Sequence, residues 1–514
     1  MGQSSKVDNL RNRPQNLKIM VPHDVNSDDE FDNEDTGVNF DKITQLPTPL
    51  INHGKFNGFE KSKFVNHDEF DDKIHHDRVI SDYKPSFNQA NVKRYVSNPN
   101  VSSLSRSSSL KSTKSSDSLD EDQKNCKYIG QVFTVHDHIF IGQSLIGKGN
   151  FSTVIKASSD FDDIAIKIIS IPITSKLELN NFKSFIKREL NILYQLDHPT
   201  VISLIDYQTN LIINTQEISS STYFTQSESQ SDLTNLNYDE DLINLKQNPD
   251  QLIFLNYCRG ENLYKFSINS YNYYEFSVTY WNIIKRIVCE VLVAIKYLHH
   301  LNIIHRDIKL ENILLKYTFD ELYEIFNHNQ QIFQSSIINL TDFGLSKKLG
   351  DDKELLSTRC GSQDYISPEL LMGLKYNGKL TDSWSVGVLI YCLLENRLPF
   401  DIPPLSALSN SQISPSVIKR KRANNNPAHR IAMIDWSWWK VEEMLSNPNL
   451  DPHIRVIINQ LKSVVELLLI RKDKRKTITQ IFDSSDFEWI KDTLPNYFYE
   501  EPLFSNYIEA NPST

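Results

Sequence analysis

The sequence predicts an α+β fold in which a small strand-rich part is followed by a larger, mostly helical part. Short β-branched runs recur between residues 138 and 257. After about residue 275, apolar residues recur at helical spacing instead. Segregation of strands and helices along the chain is typical of this class. The length of 514 residues also leaves room for unstructured additions to one large domain.

The strand-rich part is predicted to form one small sheet with one main helix. The helix runs from Asn181 to Leu196, because its apolar residues fall on a single face. The helical part that follows contains the long apolar-periodic run Trp281 to Leu298. The predicted strands are His138 to Leu145, Thr153 to Ala157, Ile164 to Ile169, Val201 to Asp206 and Leu252 to Tyr257.

Residues 1 to 127 are predicted to be a disordered, serine-rich and charged tail. They hold 20 Asp and Glu against 18 Lys and Arg and show no sustained apolar periodicity, so little apolar burial offsets the entropy of ordering. An acidic block lies at residues 24 to 41 and a basic block at 92 to 114. Ser109 follows an arginine by three residues and suits a basic-directed kinase, whereas an unregulated solvated linker is the equal alternative.

Three polar intervals interrupt the domain predicted at residues 138 to 494, and residues 495 to 514 are assigned to a short C-terminal tail. Loops of this length are usually functional or disordered, and we interpret all three as surface insertions. The third contains the basic run Lys419 to Arg422, either a nuclear-import or phosphate-binding patch or, more commonly, an ordinary solvated loop. The intervals are residues 211 to 250, 316 to 336 and 402 to 429.

The composition disfavours several classes of protein. A formal net charge of -10 does not suit a protein that binds nucleic acid by neutralising its phosphates. No apolar run is long enough to span a bilayer, and residues 1 to 20 lack the apolar stretch of a secretory signal. Five scattered cysteines without C-x-x-C spacing argue against disulfides and structural zinc. We therefore expect a cytoplasmic monomer with no membrane association, and nuclear access stays open.

Two segments of the strand-rich part suggest phosphate binding. Between two strands, the absent side chains of Gly147 and Gly149 let backbone amides approach a polyphosphate, although a glycine hairpin that only turns is at least as common. In the next strand, Lys167 stands in an apolar run and needs an anionic partner. Glu189 on the predicted helix is the candidate, and an ordinary structural ion pair is the alternative.

The decisive pattern lies in the helix-rich part. The segment His305 to Asn312 has the sequence His-Arg-Asp-Ile-Lys-Leu-Glu-Asn, and Thr341 to Gly344, Thr-Asp-Phe-Gly, follows beyond a polar insert. Chance would produce this ordered set with a probability of roughly one in ten to the tenth per placement. Phosphoryl transfer needs neutralisation of the phosphate oxygens and a carboxylate that accepts the acceptor hydroxyl's proton, and these residue types supply both.

These motifs resemble those of eukaryotic protein kinases. The resemblance implies a bilobal protein kinase fold, with a small antiparallel β-sheet lobe, a larger helical lobe, and ATP with Mg²⁺ between them. Lys309, two residues after Asp307, is the serine/threonine-kinase signature, so protein serine and threonine are the implied acceptors. Cys360 to Phe400 and His429 to Trp436 resemble yeast kinases that regulate the pheromone response, within the calmodulin-dependent and AMP-activated group.

The resemblance also implies roles for individual residues. Asp307 is the catalytic base, Lys167 contacts the α- and β-phosphates and pairs with Glu189, and the metal ligands are Asn312 and Asp342. For the apolar residues around the nucleotide, ordinary core packing is an equally valid interpretation. The implied nucleotide-binding residues are Gly147, Lys148, Gly149, Asn150, Phe151, Ser152, Thr153, Val154, Ala165, Lys167, Leu255, Tyr257, Cys258, Asn262 and Leu314.

The implied activation segment, residues 342 to 369, contains a candidate switch. Because Arg306 precedes the catalytic aspartate, a phosphate on Thr358 would form about one to three charge-assisted hydrogen bonds and order the loop. Thr358 is therefore the candidate target of an upstream kinase, and an unmodified, constitutively ordered loop is the alternative. The resemblance further implies that Lys309 steadies the γ-phosphate and that Arg475 pairs with Glu369.

Two departures from the family pattern bear on function. Ser152 replaces the third glycine of the phosphate loop, but its own N–H stays available. Asn262 stands where many relatives carry an acidic residue that touches ribose and a substrate arginine, so a preference for basic substrates depends on Glu311. The rival interpretation is a pseudokinase or scaffold that acts through its tail and inserts, which retention of Lys167 and both aspartates disfavours.

Overall fold

The computed structural model describes residues 126–149, 152–170, 176–211, 238–328, 332–401 and 426–500. Several sequence predictions fall outside these residues, namely the serine-rich tail with Ser109, the basic run Lys419 to Arg422, and Asn150 and Phe151 of the glycine-rich segment. The described residues form the predicted two lobes, one built on an antiparallel sheet and the other mostly helical.

The small lobe is built on a six-stranded antiparallel sheet in the order β1-β2-β3-β4-β6-β5. All five predicted strands are present, and β1 is an additional strand that the sequence did not predict. It joins β2 through His136 and Asp137, whose positive φ angles of 45° and 67° suit a two-residue hairpin turn. The strands are β1 (Val132–Val135), β2 (His138–Lys148), β3 (Ser152–Ser158), β4 (Asp163–Ile169), β5 (Leu204–Gln208) and β6 (Gln251–Asn256).

Two helices accompany this sheet. The predicted helix is present as α1 (Lys176–Gln195), which starts earlier than its apolar pattern indicated. Its buried residues Phe182, Ile186 and Leu190 recur at helical spacing and join the main core, so α1 packs through one face. The second helix, α2 (Tyr238–Gln247), lies in the first polar insert.

The large lobe is organised around one long helix, Val278–His300, which is apolar on nearly all sides and buried along most of its length. Its buried charged residues Arg286 and Glu290 form an ion pair 2.7 Å apart, and His299 near its C-terminal end is also buried. The helices of this lobe are α3 (Leu263–Tyr274), α4 (Val278–His300), α5 (Phe319–His328), α6 (Pro368–Leu371), α7 (Gly378–Glu395), α8 (Pro427–Met433), α9 (Lys440–Ser446), α10 (Pro452–Leu468), α11 (Ile478–Phe482) and α12 (Trp489–Thr493).

Three short antiparallel strand pairs flank the His-Arg-Asp and Asp-Phe-Gly motifs of the large lobe. They hold the segments before and after the His-Arg-Asp motif, and they tie the activation segment to the chain that precedes α7. The predicted pair of Arg475 and Glu369 is confirmed at 2.6 Å. The strand pairs are β7 (Ile303–Ile304) with β10 (Lys347–Lys348), β8 (Ile313–Leu315) with β9 (Ile338–Leu340), and β11 (Leu355–Leu356) with β12 (Tyr376–Asn377).

The packed region extends beyond residues 138 to 494. Tyr128 and Phe133 are buried in the core of the small lobe, and Phe498 is fully buried in the large lobe. Inside the second polar interval, α5 forms a regular helix rather than an irregular loop. Among the residues that the structure describes, no helix combines the length and apolarity needed to cross a bilayer.

Candidate active site

Lys167 links the two lobes. It lies on β4, and its Nζ is 2.6 Å from Glu189 Oε1 on α1 and 3.2 Å from Asp342 Oδ1 of the large lobe. Burial alone would disfavour the ammonium, but attraction to the two carboxylates outweighs it and raises the pKa of Lys167. The predicted pairing with Glu189 is confirmed, and the lysine stays charged at neutral pH.

Asp342 directly follows β9 and has a left-handed backbone, with φ 68°. An aspartate tolerates this conformation better than most residues because its short side chain bonds locally. Burial on its own would raise the pKa of Asp342, but the charges of Lys167 and then Lys309 outweigh it and lower that pKa. Asp342 is therefore an ionised carboxylate between cations from both lobes.

The loop before Asp307 has a backbone conformation of high free energy, and α7 stabilises it. Arg306 has φ 66°, a left-handed backbone that costs a non-glycine residue on the order of 1–3 kcal/mol. The buried carboxylate of Asp382 on α7 accepts hydrogen bonds from the backbone N–H groups of His305 and Arg306, each at 2.9 Å. Charge-assisted bonds of this kind are the stronger class, so Asp382 can maintain the strained loop.

Asp307 is almost completely buried and hydrogen-bonded through both carboxylate oxygens. Its Oδ2 is 2.9 Å from Lys309 Nζ and 3.2 Å from Asn312 Nδ2. Its Oδ1 accepts from the backbone N–H of Ser362 at 3.0 Å and from the Ser362 hydroxyl at 2.9 Å. Four donors therefore fix the position of this carboxylate.

Ser362 is a site residue that the sequence reasoning missed. It belongs to the activation segment, and its hydroxyl also accepts a hydrogen bond from Lys309 Nζ at 3.0 Å. The preceding Gly361 has φ 103°, and a Cβ there would lie 2.6 Å from the carbonyl oxygen of Arg306. Only glycine permits this close approach, so the Gly-Ser pair joins the activation segment to the catalytic loop.

Asn312 and Asp342 have the chemistry of magnesium ligands. The hydrogen bonds of Asn312 to Asp307 use its Nδ2, at 2.7 Å and 3.2 Å, so a cation would bind its Oδ1. Within the described ranges, no group of three or more His, Cys, Asp and Glu side chains is arranged to hold a metal. Mg²⁺ typically takes one or two protein oxygens together with substrate phosphates, and these residues fit that pattern.

The apolar residues predicted to surround the nucleotide lie on or next to several strands. Ala165 on β4 pairs with Leu255 on β6, and both belong to one apolar cluster with Cys258, against which Val154 and Leu314 pack. Burial raises the pKa of the Cys258 thiol to about 11, so this thiol is protonated at neutral pH. The structure thus places the five predicted apolar residues in or against one core cluster, which extends through both lobes.

The glycine-rich segment is the β2–β3 hairpin. Gly147 pairs with Val154 and Lys148 with Thr153, and the Gly149 N–H donates to the Ser152 carbonyl at 2.7 Å. These bonds pair the C-terminal end of β2 with the N-terminal end of β3. The hairpin geometry agrees with the predicted phosphate-binding turn as far as the described residues reach.

Asn262 has a structural use that the sequence did not reveal. Its Oδ1 accepts from the backbone N–H of Lys265 at 3.0 Å and caps the N-terminus of α3. Its backbone also bridges to Leu314. Tyr257, directly after β6, is partly buried, and Lys156 Nζ lies 4.9 Å from its ring centre.

Thr358 is exposed in the activation segment, and two arginines contact the start of that segment. Arg306 Nε donates to the Leu345 carbonyl at 2.6 Å, and Arg188 Nη2 on α1 donates to the Gly344 carbonyl at 3.0 Å. Burial lowers the pKa of Arg188, and the positive charge of Arg306 lowers it further. Arg188 was not predicted, although it directly precedes Glu189.

Comparison with known proteins gives one family and several relatives. The family described as protein kinase domain matches residues 140–487. The serine/threonine-protein kinase PRR1 of Saccharomyces cerevisiae is 33% identical over 371 residues, covering 68% of this chain and 61% of the relative. The serine/threonine-protein kinase ppk27 of Schizosaccharomyces pombe is 32% identical over 247 residues, covering 47% and 54%. The carbon catabolite-derepressing protein kinase of Saccharomyces cerevisiae is 28% identical over 327 residues, covering 60% and 41%. The matched part of the chain thus spans less than two thirds of each relative.

Proposed function

The chain belongs to the protein kinase family, and from that premise we propose that it is an active serine/threonine protein kinase. It transfers the γ-phosphate of ATP to serine or threonine of protein substrates. The observation that carries this proposal is that Lys167, Asp342 and Asp307 are far apart in the sequence yet connected by charge interactions. Lys167 pairs with Asp342 directly, and Lys309 pairs with Asp307 and lowers the pKa of Asp342. Resemblance to yeast pheromone-response kinases supports a role in intracellular signalling.

Asp307 acts as the general base in this proposal. It accepts the proton of the substrate hydroxyl as the new oxygen–phosphorus bond forms. General-base assistance of this kind contributes about 10²- to 10⁴-fold to the rate. The four donors on the Asp307 carboxylate preorganise it, so little reorganisation is needed at the moment of reaction.

The cations of the site neutralise charge on the phosphates. Lys167 orients the α- and β-phosphates, and Lys309 stabilises the γ-phosphoryl group as it leaves ADP. Mg²⁺ held by Asn312 and Asp342 would add neutralisation of the phosphate oxygens. The lowered pKa of Asp342 and the raised pKa of Lys167 keep both side chains ionised for these roles.

Glu311 supports a preference for substrates with basic side chains. Burial raises the pKa of Glu311, and its Oε2 lacks a hydrogen-bond partner among the residues described. A substrate arginine would supply that partner and favour the charged form of Glu311. A glutamate with a raised pKa is protonated at a higher pH as the solution is acidified. The preference for basic substrates should therefore be lost at a higher pH than with an ordinary glutamate.

Thr358 is the proposed site of activating phosphorylation by an upstream kinase. Its phosphate would be received by Arg306 and by Arg188, whose Nε lacks a hydrogen-bond partner among the residues described. Because Arg188 lies on α1 beside Glu189, the phosphate would tie the activation segment to the helix that positions Lys167.

The proposal is tested by phosphate transfer to three peptides that differ only in a serine, threonine or tyrosine acceptor. We expect the full-length protein with Mg²⁺ and ATP to phosphorylate the serine and threonine peptides, and Asp342→Ala to lose this activity. No transfer by the wild-type protein to any peptide, with ATP still bound, would favour the pseudokinase alternative. Equal transfer by the variant would remove Asp342 from the site.

A further inference from the structure

A buried ion pair joins the first insert to α1. Asp241 of α2 has a side chain only 1% exposed, and its Oδ2 lies 2.5 Å from Lys183 Nζ on α1. The lysine side chain is 23% exposed and so keeps access to water. A buried carboxylate needs a partner, and here that partner is part of the helix that carries Glu189.

The insert is anchored on the sheet as well as on α1. At its C-terminal end, Gln251 Oε1 accepts hydrogen bonds from the Thr209 hydroxyl at 2.6 Å and from the Asn210 N–H at 3.0 Å. Asn210 Nδ2 donates to the Asn248 carbonyl, also at 3.0 Å. The chain directly after α2 is therefore tied to the end of β5 and the start of β6, which gives α2 a fixed base.

Apolar packing supports the same contact. Leu245 of α2 is 7% exposed and Leu211, just before the insert, is 4% exposed. Both belong to the main core cluster, which also contains Phe182 of α1. Leu245 thus joins α2 to the main core, and the charged pair adds a direct contact between α2 and α1.

The ion pair lies on the same helix as Glu189, the partner of Lys167. Lys183 precedes Glu189 by six positions, about 9 Å along the axis of an α-helix. The two side chains leave α1 on different faces, Lys183 toward the insert and Glu189 toward the cleft. A helix held at Lys183 has less freedom to rotate or shift, and rotation or shift would separate Glu189 from Lys167.

We propose that Asp241 is a positioning residue that holds α1 in the orientation in which Glu189 pairs with Lys167. The inference rests on the proposed kinase function and adds a role for α2 of the first insert. Sheet, insert helix, α1 and Lys167 then form one connected chain of contacts. Any ligand or modification that displaces α2 would lower activity without touching the nucleotide.

The substitution Asp241→Asn separates this role from general destabilisation. It removes the charge with almost no change in shape, and the partly exposed Lys183 can turn to water. Lys183→Met would be a harsher change, because it would leave Asp241 buried without its cation. The matched control is Asp483→Asn, which also deprives a lysine, Lys296, of a carboxylate at 2.7 Å, but in the large lobe.

The experiment measures peptide phosphorylation by five full-length proteins: wild type, Asp241→Asn, Glu189→Gln, the double variant of these two, and the control Asp483→Asn. Mutations along a coupled network alter coupling by about 0.5–2 kcal/mol, so Asp241→Asn should lower kcat about 2- to 30-fold. The same substitution should have little further effect in the Glu189→Gln background, because it acts through Glu189. Asp483→Asn should leave kcat unchanged.

Hydrogen exchange provides a second readout that does not depend on activity. Amides of α1 between Phe182 and Leu190 should exchange faster in Asp241→Asn than in wild type or Asp483→Asn, and amides of the large lobe should exchange at the same rate in all three proteins. Equal exchange, or equal proportional losses of kcat in both backgrounds, would overturn the positioning role. An inactive wild-type protein would instead contradict the proposed kinase function. In that case, equal exchange of the α1 amides in Asp241→Asn and wild type would still show that Asp241 does not hold α1.

Discussion

The two halves of the site are held in different ways. In the large lobe, the catalytic carboxylate of Asp307 is fixed by donors from Lys309, Asn312 and Ser362, and Asp382 pins the loop beneath it. In the small lobe, Lys167 depends on Glu189, which stands on a single helix, and on Asp342 across the cleft. Several contacts hold the first half, whereas the second half follows the position of α1.

This difference assigns chemistry and control to different halves. A carboxylate fixed by preorganised donors suits a step in which charge moves in the transition state. A lysine whose partner stands on a single helix is suited to regulation of activity, because small displacements of packed helices are a common switching motion. Substitution of Asp307 should therefore lower kcat alone, whereas substitution of Lys167 or of its partners Glu189 and Asp342 should also change nucleotide binding.

The largest effect is expected from Asp307→Asn. Loss of the general base should lower kcat about 10²- to 10⁴-fold, while ATP affinity stays within about twofold of wild type. Steady-state phosphorylation and equilibrium ATP binding check this together. The control is Asp473→Asn, which removes an exposed partner of Arg471. A fall in ATP affinity as large as the fall in kcat would break the proposed division.

Lys167→Met should give the next largest effect. It leaves the buried Glu189 and the partly buried Asp342 without their shared cation. It also removes a cation that stabilises the phosphates, so kcat/KM should fall about 100-fold. Unlike Asp307→Asn, it should also raise the KM for ATP. Lys462→Met, which breaks a surface pair with Glu442, is the control. An unchanged KM for ATP would mean that the small-lobe half does not orient the nucleotide.

A smaller effect is expected from Thr358→Ala. Loss of a phosphate that links the activation segment to Arg306 and Arg188 should lower kcat about tenfold, within the usual range of coupling between sites. Phosphatase treatment of the wild type should give the same decrease, and Ser357→Ala should not. Identical rates before and after phosphatase treatment would show that this segment is ordered without modification.

The smallest effect is expected from Asn262→Ala, where the two halves meet. Loss of the cap on α3 should lower the free energy of unfolding by about 1 kcal/mol, measured by denaturant titration, with the KM for ATP unchanged. Asn262→Asp should retain the cap. A several-fold rise in KM without loss of stability would instead place Asn262 against the nucleotide.

Much of the fold was predictable because its signals are local. Strands β2 to β6 carry β-branched runs, and α1 carries a clear apolar face. The short strand β1 was missed, since four residues give little periodicity. Helix α5 was also missed, although Thr318 and Glu321 exchange hydrogen bonds as a capping box at its start, a signature readable in the sequence.

The site divides in the same way. Residues inside the His-Arg-Asp and Asp-Phe-Gly motifs were predictable, because the chemistry requires those types in that order. Ser362 lies 55 positions from Asp307, and Asp241 lies 58 positions from Lys183. Such contacts are set by tertiary packing, and no local pattern marks them. Arg188 was missed for the same reason, since its neighbours come from the activation segment.

The central claim is that side chains from both lobes converge on one magnesium-bound nucleotide. Its most direct test is equilibrium binding of ATP as a function of Mg²⁺ concentration, to the wild type and to Asp342→Asn. We predict that the wild-type affinity rises with Mg²⁺ and that the variant loses most of that rise while remaining folded. The same Mg²⁺ dependence in both proteins would contradict the account.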